Sequence, residues 1–150
     1  MNIVDSLKDN KSIQLGKNVS NWQEAIELLF EPLLKNGAVK PEYSKAIMER
    51  TNEIGPFYII GPGIAMPHER GEMGAIKNAF TFLTLNEAIE FPTGEMIDIL
   101  IGFSATDSET HIAEVIPQIV TLFDDEESFD RIRDKKTPEE LLTYIEEVIK

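Results

Sequence analysis

The chain has 150 residues, 42% of them hydrophobic and 8% aromatic, a formal net charge of −13 and no cysteine. That is enough apolar material for one domain, residues 1–150, with a real core, and too much for a disordered chain. The composition excludes disulfides, thiolate metal sites and cysteine nucleophiles, and no run approaches the ~20 apolar residues that span a bilayer.

The N-terminal MNIVDSLKDNKSIQL lacks the basic start and apolar stretch of a secretory signal, so a cytoplasmic location is expected. Ser20-Asn-Trp-Gln23 has capping-box spacing and opens a helix, WQEAIELLFEPLLKNG. Trp22, Ile26, Leu29 and Leu33 recur at helical spacing, Pro32 predicts a kink or a loosened last turn, and Gly37 reads as the stop. Pro41 suits the first turn of a second helix, PEYSKAIMERTNEI, ended by Gly55-Pro56. FYII (57–60), AFTFLTL (79–85) and MIDILIGFSAT (96–106) read as strands. The last holds an almost unbroken apolar run, Ile99 to Phe103, which suits a strand covered on both faces.

Asp107 or Ser108 is expected to cap a helix over about 109–123, bent at Pro117. DDEESFDRIRDK places acids before bases along a short helix, matching its dipole. Thr137-Pro-Glu-Glu140 is a capping box opening the final helix, PEELLTYIEEVIK. Helices flanking a buried sheet make the fold α/β or α+β. Charge is uneven: residues 1–86 carry ten acids against nine bases, residues 87–150 seventeen against five. Such a surface repels nucleic acid and anionic lipid and favours a basic protein partner, although a soluble, highly charged surface is the plainer reading.

The chain has two histidines. His68 ends GPGIAMPH, in which Pro67 restricts Met66 towards extended geometry and Gly61 and Gly63 permit conformations that a Cβ would forbid. The result is a stiff loop at a strand end, a place where chemistry is often carried. An ordinary surface histidine is the alternative. His111 follows the apolar strand at a predicted helix start, where free N–H groups favour anions. Two imidazoles with Arg50 or Arg70 would suit a phosphoryl group: one ring nitrogen attacks phosphorus and the neighbours hold its oxygens. For each residue a cap, packing or solvated role is the competing reading. His68-Glu69 and His111-x-x-Glu114 offer metal ligands without matching a zinc signature, and neither a GxSxG elbow nor a glycine-rich nucleotide loop is present.

At GIAMPHER the sequence resembles the mannitol/fructose-type enzyme IIA family of the bacterial sugar phosphotransferase system. That family has a small or acidic residue, an aliphatic residue, Ala, an aliphatic residue, Pro and His around its phosphorylated histidine. SLKDNKSIQL resembles the family's short N-terminal strand, WQEAI and EYSKAIMER resemble its next two helices, and IDILIGFSATDSETHIAEVIPQIVTLFDDEESFDRIRDKKTPEELLTYI resembles its C-terminal half. GPFYIIGPGIAMPHER, LIGFSATDSETH and QIVTLFDDEESFDRIR look closest to the ascorbate-specific branch; the nitrogen-type regulatory branch shares the loop.

The resemblance implies an α/β fold, a mixed central β-sheet flanked by helices on both faces. It implies that His68 accepts a phosphoryl group from phospho-HPr through Nε2 and passes it to a cysteine of enzyme IIB, a separate chain, and through IIB to a membrane enzyme IIC. His111 matches the second family histidine, which helps hold the phosphate. Arg50 and Arg70 match basic positions near the site, and Gly63 and Pro67 belong to the loop. Glu69 departs from the family, whose residue there is small or neutral; it would tune transfer or point to solvent. Ile64, Met66 and Met73 would form an apolar rim that docks HPr and IIB. No cofactor, metal, nucleic acid or direct membrane insertion is implied. A regulatory domain switched by phosphorylation of His68 is the alternative role.

Overall fold

The computed structural model describes residues 2–149, without the side chains of Ser108 and Ile112. Its elements are α1 (Ile3–Asn10), β1 (Ile13–Lys17), α2 (Trp22–Lys35), α3 (Pro41–Ile54), β2 (Ile59–Gly61), β3 (Gly63–Ala65), β4 (Ala79–Glu90) and β5 (Met96–Ser104). A helical stretch follows, made of α4 (Ser108–Thr110), a π turn (His111–Val115) and α5 (Ile116–Leu122). The chain closes with α6 (Ser128–Arg133) and α7 (Pro138–Ile149). The strands form one mixed sheet in the order β1-β4-β5-β3-β2. β1 runs parallel to β4 and β3 parallel to β5, while β4–β5 and β2–β3 are antiparallel.

Helices cover both faces, which makes the class α/β. On one side Ile3 and Leu7 of α1, Leu122 of α5, Ile132 of α6 and Leu141 and Ile145 of α7 pack on Phe80, Phe82, Ile99, Ile101 and Phe103. On the other, Ile26, Leu29, Phe30 and Leu33 of α2 and Tyr43 and Ile47 of α3 pack on Leu83, Leu85, Ile97 and Leu100. The alternation along β4 and β5 divides these two cores, as expected for strands buried on both faces.

Several boundaries differ from the sequence reading. The cap of α2 is Asn21, not Ser20: the Asn21 carboxamide accepts from the Glu24 amide at 2.8 Å, and Ser20 N–H donates to the Glu24 carboxylate at 3.4 Å. The capping box is thus shifted by one residue. Pro32 leaves the Leu28 carbonyl without its helical N–H, and Gln14 Nε2 donates to that carbonyl at 2.7 Å instead; α2 ends three residues later in a Schellman motif. There Gly37 has φ +75°, its N–H donates to Leu34 O, and Ala38 N–H donates to Leu33 O. α1 was not read from the sequence; Asn2 caps it, accepting from Asp5 N–H at 3.0 Å. Phe57 and Tyr58 lie in a turn before β2, β4 runs on to Glu90, β5 stops at Ser104, and only 128–133 of the acidic segment is helical.

Gly102 lies where β5 meets α2. An added Cβ there would sit 2.7 Å from Phe30 Cζ, 2.9 Å from Leu29 Cδ2 and 2.9 Å from Thr81 Cγ2. Gly102→Ala is therefore expected to overpack the core and cost about 1–3 kcal/mol. Urea unfolding would show it as a lower midpoint at unchanged slope.

Candidate functional site

β3 ends at Ala65 and delivers the chain through Met66 and Pro67, both buried, to His68. Met66 is held as a strand extension by its N–H, which donates to Tyr58 O at 2.8 Å. Two residues on, the ring of His68 turns back: Nδ1 lies 2.6 Å from Met66 O. A carbonyl can only accept, so Nδ1 carries the proton and the lone pair of the neutral ring is on Nε2.

Three rings hold this imidazole. Phe103, at the end of β5, stacks against it at 4.7 Å and 23°. Phe57 meets it edge-on at 5.5 Å. His111 meets it edge-on at 5.0 Å. Burial lowers the affinity of His68 for a proton, and the nearby His111 and Arg50 lower it further, against the Met66 carbonyl and Glu69. Burial lowers that of His111 too. Both rings are therefore set to be neutral at pH 7. The folded pKa of His68 lies below the usual ~6.5, so the unfolded chain takes up the proton more readily. Stability from this group is present above that value and is lost as pH falls through it. An NMR titration of the His68 ring should give a midpoint below 6.5, and the unfolding free energy should decline over the same acid window.

His111 reaches this place because of the helix that carries it. Asp107 caps that helix, accepting from Thr110 N–H at 2.7 Å. The bend expected at Pro117 rests on the proline alone; what precedes α5, whose first turn holds Pro117, is the π turn His111–Val115. Proline offers no amide hydrogen and needs room from the carbonyl four residues back, which a wider turn provides. His111 is the fourth residue of the stretch, and its own N–H donates to Asp107 O at 3.4 Å.

His68, His111, Arg50 and Arg70 all line one open cleft of about 450 Å³, together with Glu69, Asp107 and Phe103. Arg50, near the end of α3, places its guanidinium 5.8 Å from the Phe57 ring. Arg70 is exposed and lies 3.6 Å from the Glu72 carboxylate. Pro67 is at the loop, whereas Gly63 lies at the start of β3 with φ +82°, where an added Cβ would meet the Arg133 guanidinium at 2.6 Å. Among the described residues, no cluster of three histidine, aspartate or glutamate side chains could hold a metal ion.

Two expectations are corrected here. Glu69 does not point to solvent: its side chain is 3% exposed, and Oε2 accepts from Arg50 Nε at 2.7 Å. Its other oxygen accepts from Arg70 N–H at 2.9 Å. Ile64 and Met66 are buried at 1% and 3% exposure, so they form no exposed rim, and Met73 does not line the cleft. The exposed apolar residues beside His68 are instead Phe57, Ile60, Ile116 and Val120, which line a second groove with Met66 and His68.

Tyr43 was missed. Its buried hydroxyl accepts from Glu69 N–H at 3.0 Å and is shared between the carbonyls of Phe103 at 2.8 Å and Glu69 at 3.1 Å. The only signal was its place in the EYSKAIMER helix, one turn from Ile47 and two from Arg50.

Residues 6–148 match the family model described as phosphoenolpyruvate-dependent sugar phosphotransferase system, EIIA 2. The ascorbate-specific PTS system EIIA component of Escherichia coli K12 is 42% identical over 148 residues, 97% of this chain and 96% of that protein. Among solved structures, PtxA of Streptococcus mutans superposes with a TM-score of 0.96 at 44% identity, over 99% of this chain and 95% of that one. The mannitol enzyme IIA of E. coli, solved in complex with phosphorylated mannitol enzyme IIB, gives a TM-score of 0.77 at 29% identity, over 91% of this chain and 95% of that one. With the PH loop, the paired imidazoles and the mixed sheet in the same chain, these matches establish that it belongs to the EIIA 2 family of the sugar phosphotransferase system.

Proposed function

We propose that this chain is a phosphocarrier, a single IIA module that takes a phosphoryl group from phospho-HPr on His68 and gives it to a cysteine of enzyme IIB. The carrying observation is the Met66 carbonyl on His68 Nδ1 at 2.6 Å, which reserves Nε2 as the nucleophile. In the first step the Nε2–P bond forms as the donor's own bond to phosphorus breaks, the donor keeping that electron pair. In the second a thiolate attacks phosphorus, the Nε2–P bond breaks, and His68 returns to its neutral form with the proton still on Nδ1.

Phosphoryl transfer asks mainly for positioning and for charge stabilisation at the equatorial oxygens. The stacked Phe103 and the edge-on Phe57 position the ring, and His111, Arg50 and Arg70 are the cleft groups suited to the oxygens. The chain has no cysteine, so the accepting thiol comes from another protein. The solved mannitol IIA–IIB complex supports a IIB partner. The groove lined by Phe57, Ile60, Ile116 and Val120 offers it an apolar seat beside His68. Among the described residues no helix is long and apolar enough to cross a membrane. This fits a cytoplasmic carrier that reaches the membrane IIC component through IIB. The 42% identical E. coli relative supports ascorbate as the transported compound.

The test is transfer from labelled phosphoenolpyruvate through purified enzyme I and HPr, followed by addition of an ascorbate-type IIB. Acid-labile, alkali-stable label on this chain that then moves to IIB is expected. No label from a competent HPr overturns the proposal. Label that stays on this chain marks the regulatory role instead.

A further inference from the structure

We propose that Glu69 is a positioning residue: it holds Arg50 at the cleft and takes up part of its charge, which limits how tightly the site keeps a phosphoryl group on His68. The inference rests on the phosphocarrier reading above. Glu69 is adjacent to His68, yet its carboxylate is taken out of water, and burying a charge is costly unless it is paired and hydrogen-bonded. Both needs are met. Oε2 takes the Nε hydrogen of Arg50 at 2.7 Å and Oε1 takes the Arg70 amide at 2.9 Å. The backbone of Glu69 is pinned as well, since the Tyr43 hydroxyl engages both its N–H and its carbonyl. A carboxylate fixed at this many points cannot swing away when charge arrives in the cleft.

Arg50 is the more exposed partner, its side chain 29% exposed against 3% for Glu69. Glu69 occupies the Nε edge of the guanidinium and leaves the two terminal nitrogens for other acceptors. His68 sits in the field of both groups: the carboxylate favours positive charge on the ring and the guanidinium opposes it. A site built only to grip a phosphoryl group would leave that guanidinium uncompensated. A carrier must release what it holds, and interactions that stabilise only the loaded state slow the next step. A fixed, half-neutralised Arg50 meets both demands.

The experiment measures the equilibrium constant for phosphoryl exchange between phospho-HPr and this chain. Wild type, Glu69→Gln and Arg50→Gln are compared, with circular dichroism melting to confirm folding. In Glu69→Gln the full charge of Arg50 acts on the phosphoryl group. The equilibrium should shift towards the phosphorylated chain by about tenfold, with slower passage to IIB. In Arg50→Gln it should shift the other way. A merely structural role predicts that both variants lose label together, and that result, or no shift in either, overturns the inference while leaving the carrier reading intact. A wild type that takes no label overturns both. Should Arg50→Gln fail to fold because it strands the buried Glu69 carboxylate, the double variant replaces it, because it leaves no buried charge unpaired. Lacking Arg50, it should hold the phosphoryl group less than Glu69→Gln does, by about tenfold; no difference between the two overturns the inference.

Discussion

Replacing His68 with alanine is expected to reduce phosphoryl acceptance from HPr to below about a thousandth of the wild-type rate. The cleft holds one other imidazole, His111, but the Met66 carbonyl, the stacked Phe103 and the edge-on Phe57 are arranged around His68. His111→Ala should behave differently. On the phosphocarrier reading it keeps the nucleophile and removes one cleft group suited to the phosphoryl oxygens, so labelling should slow by roughly a hundredfold and still reach completion. The two variants, followed by the time course of acid-labile label, separate acceptor from helper. Substantial label on His68→Ala would transfer the acceptor role to His111 and contradict this assignment.

Tyr43→Phe should cost about 1–3 kcal/mol of stability, because it strands polar groups that no water reaches. The ring is fully buried, and packs edge-on against Phe30 at 5.3 Å, so the smaller side chain fills the same place. What disappears is the hydroxyl that joins the Glu69 amide to the Phe103 carbonyl. Burial pushes this phenol far above its ordinary pKa, so it stays a donor across the physiological range. The bridge ties the loop bearing His68 to the strand whose Phe103 lies flat against the His68 ring. Loss of stability should therefore come with slower labelling, measured well below the melting temperature. Lower stability with an unchanged labelling rate would reduce the hydroxyl to a purely structural role.

The layout was largely legible in the sequence because long elements with strong periodicity declare themselves. α2, α3, α7 and the apolar β5 run all appear where their patterns place them, and the helices on both faces follow from an unbroken apolar strand. α1 was missed although Asn2 caps it and Ile3, Val4 and Leu7 share one face, because a pattern of barely two turns is weak on its own and gains its burial from the sheet and α7. The apolar rim was misplaced for a related reason: Ile64 and Met66 look as exposed as Phe57 and Ile60 in the one-dimensional string. Only the covering helices decide which of them remain outside. His68 and His111 stood out by rarity. Glu69 was misjudged because a charged residue is exposed by default, and the group that permits its burial, Arg50, is 19 residues away in the chain.

The π turn at His111–Val115 has a consequence for how length variation would act on this site. A π turn is an α-helix carrying one surplus residue, and each residue advances the helical phase by about 100°. The second imidazole is thus aimed by counting, not by a loop. Removing one residue from this turn would leave the sheet's pairing in place, yet rotate the N-terminal part of that helix by more than a quarter turn relative to α5. In this segment a single-residue indel amounts to a substitution at the cleft.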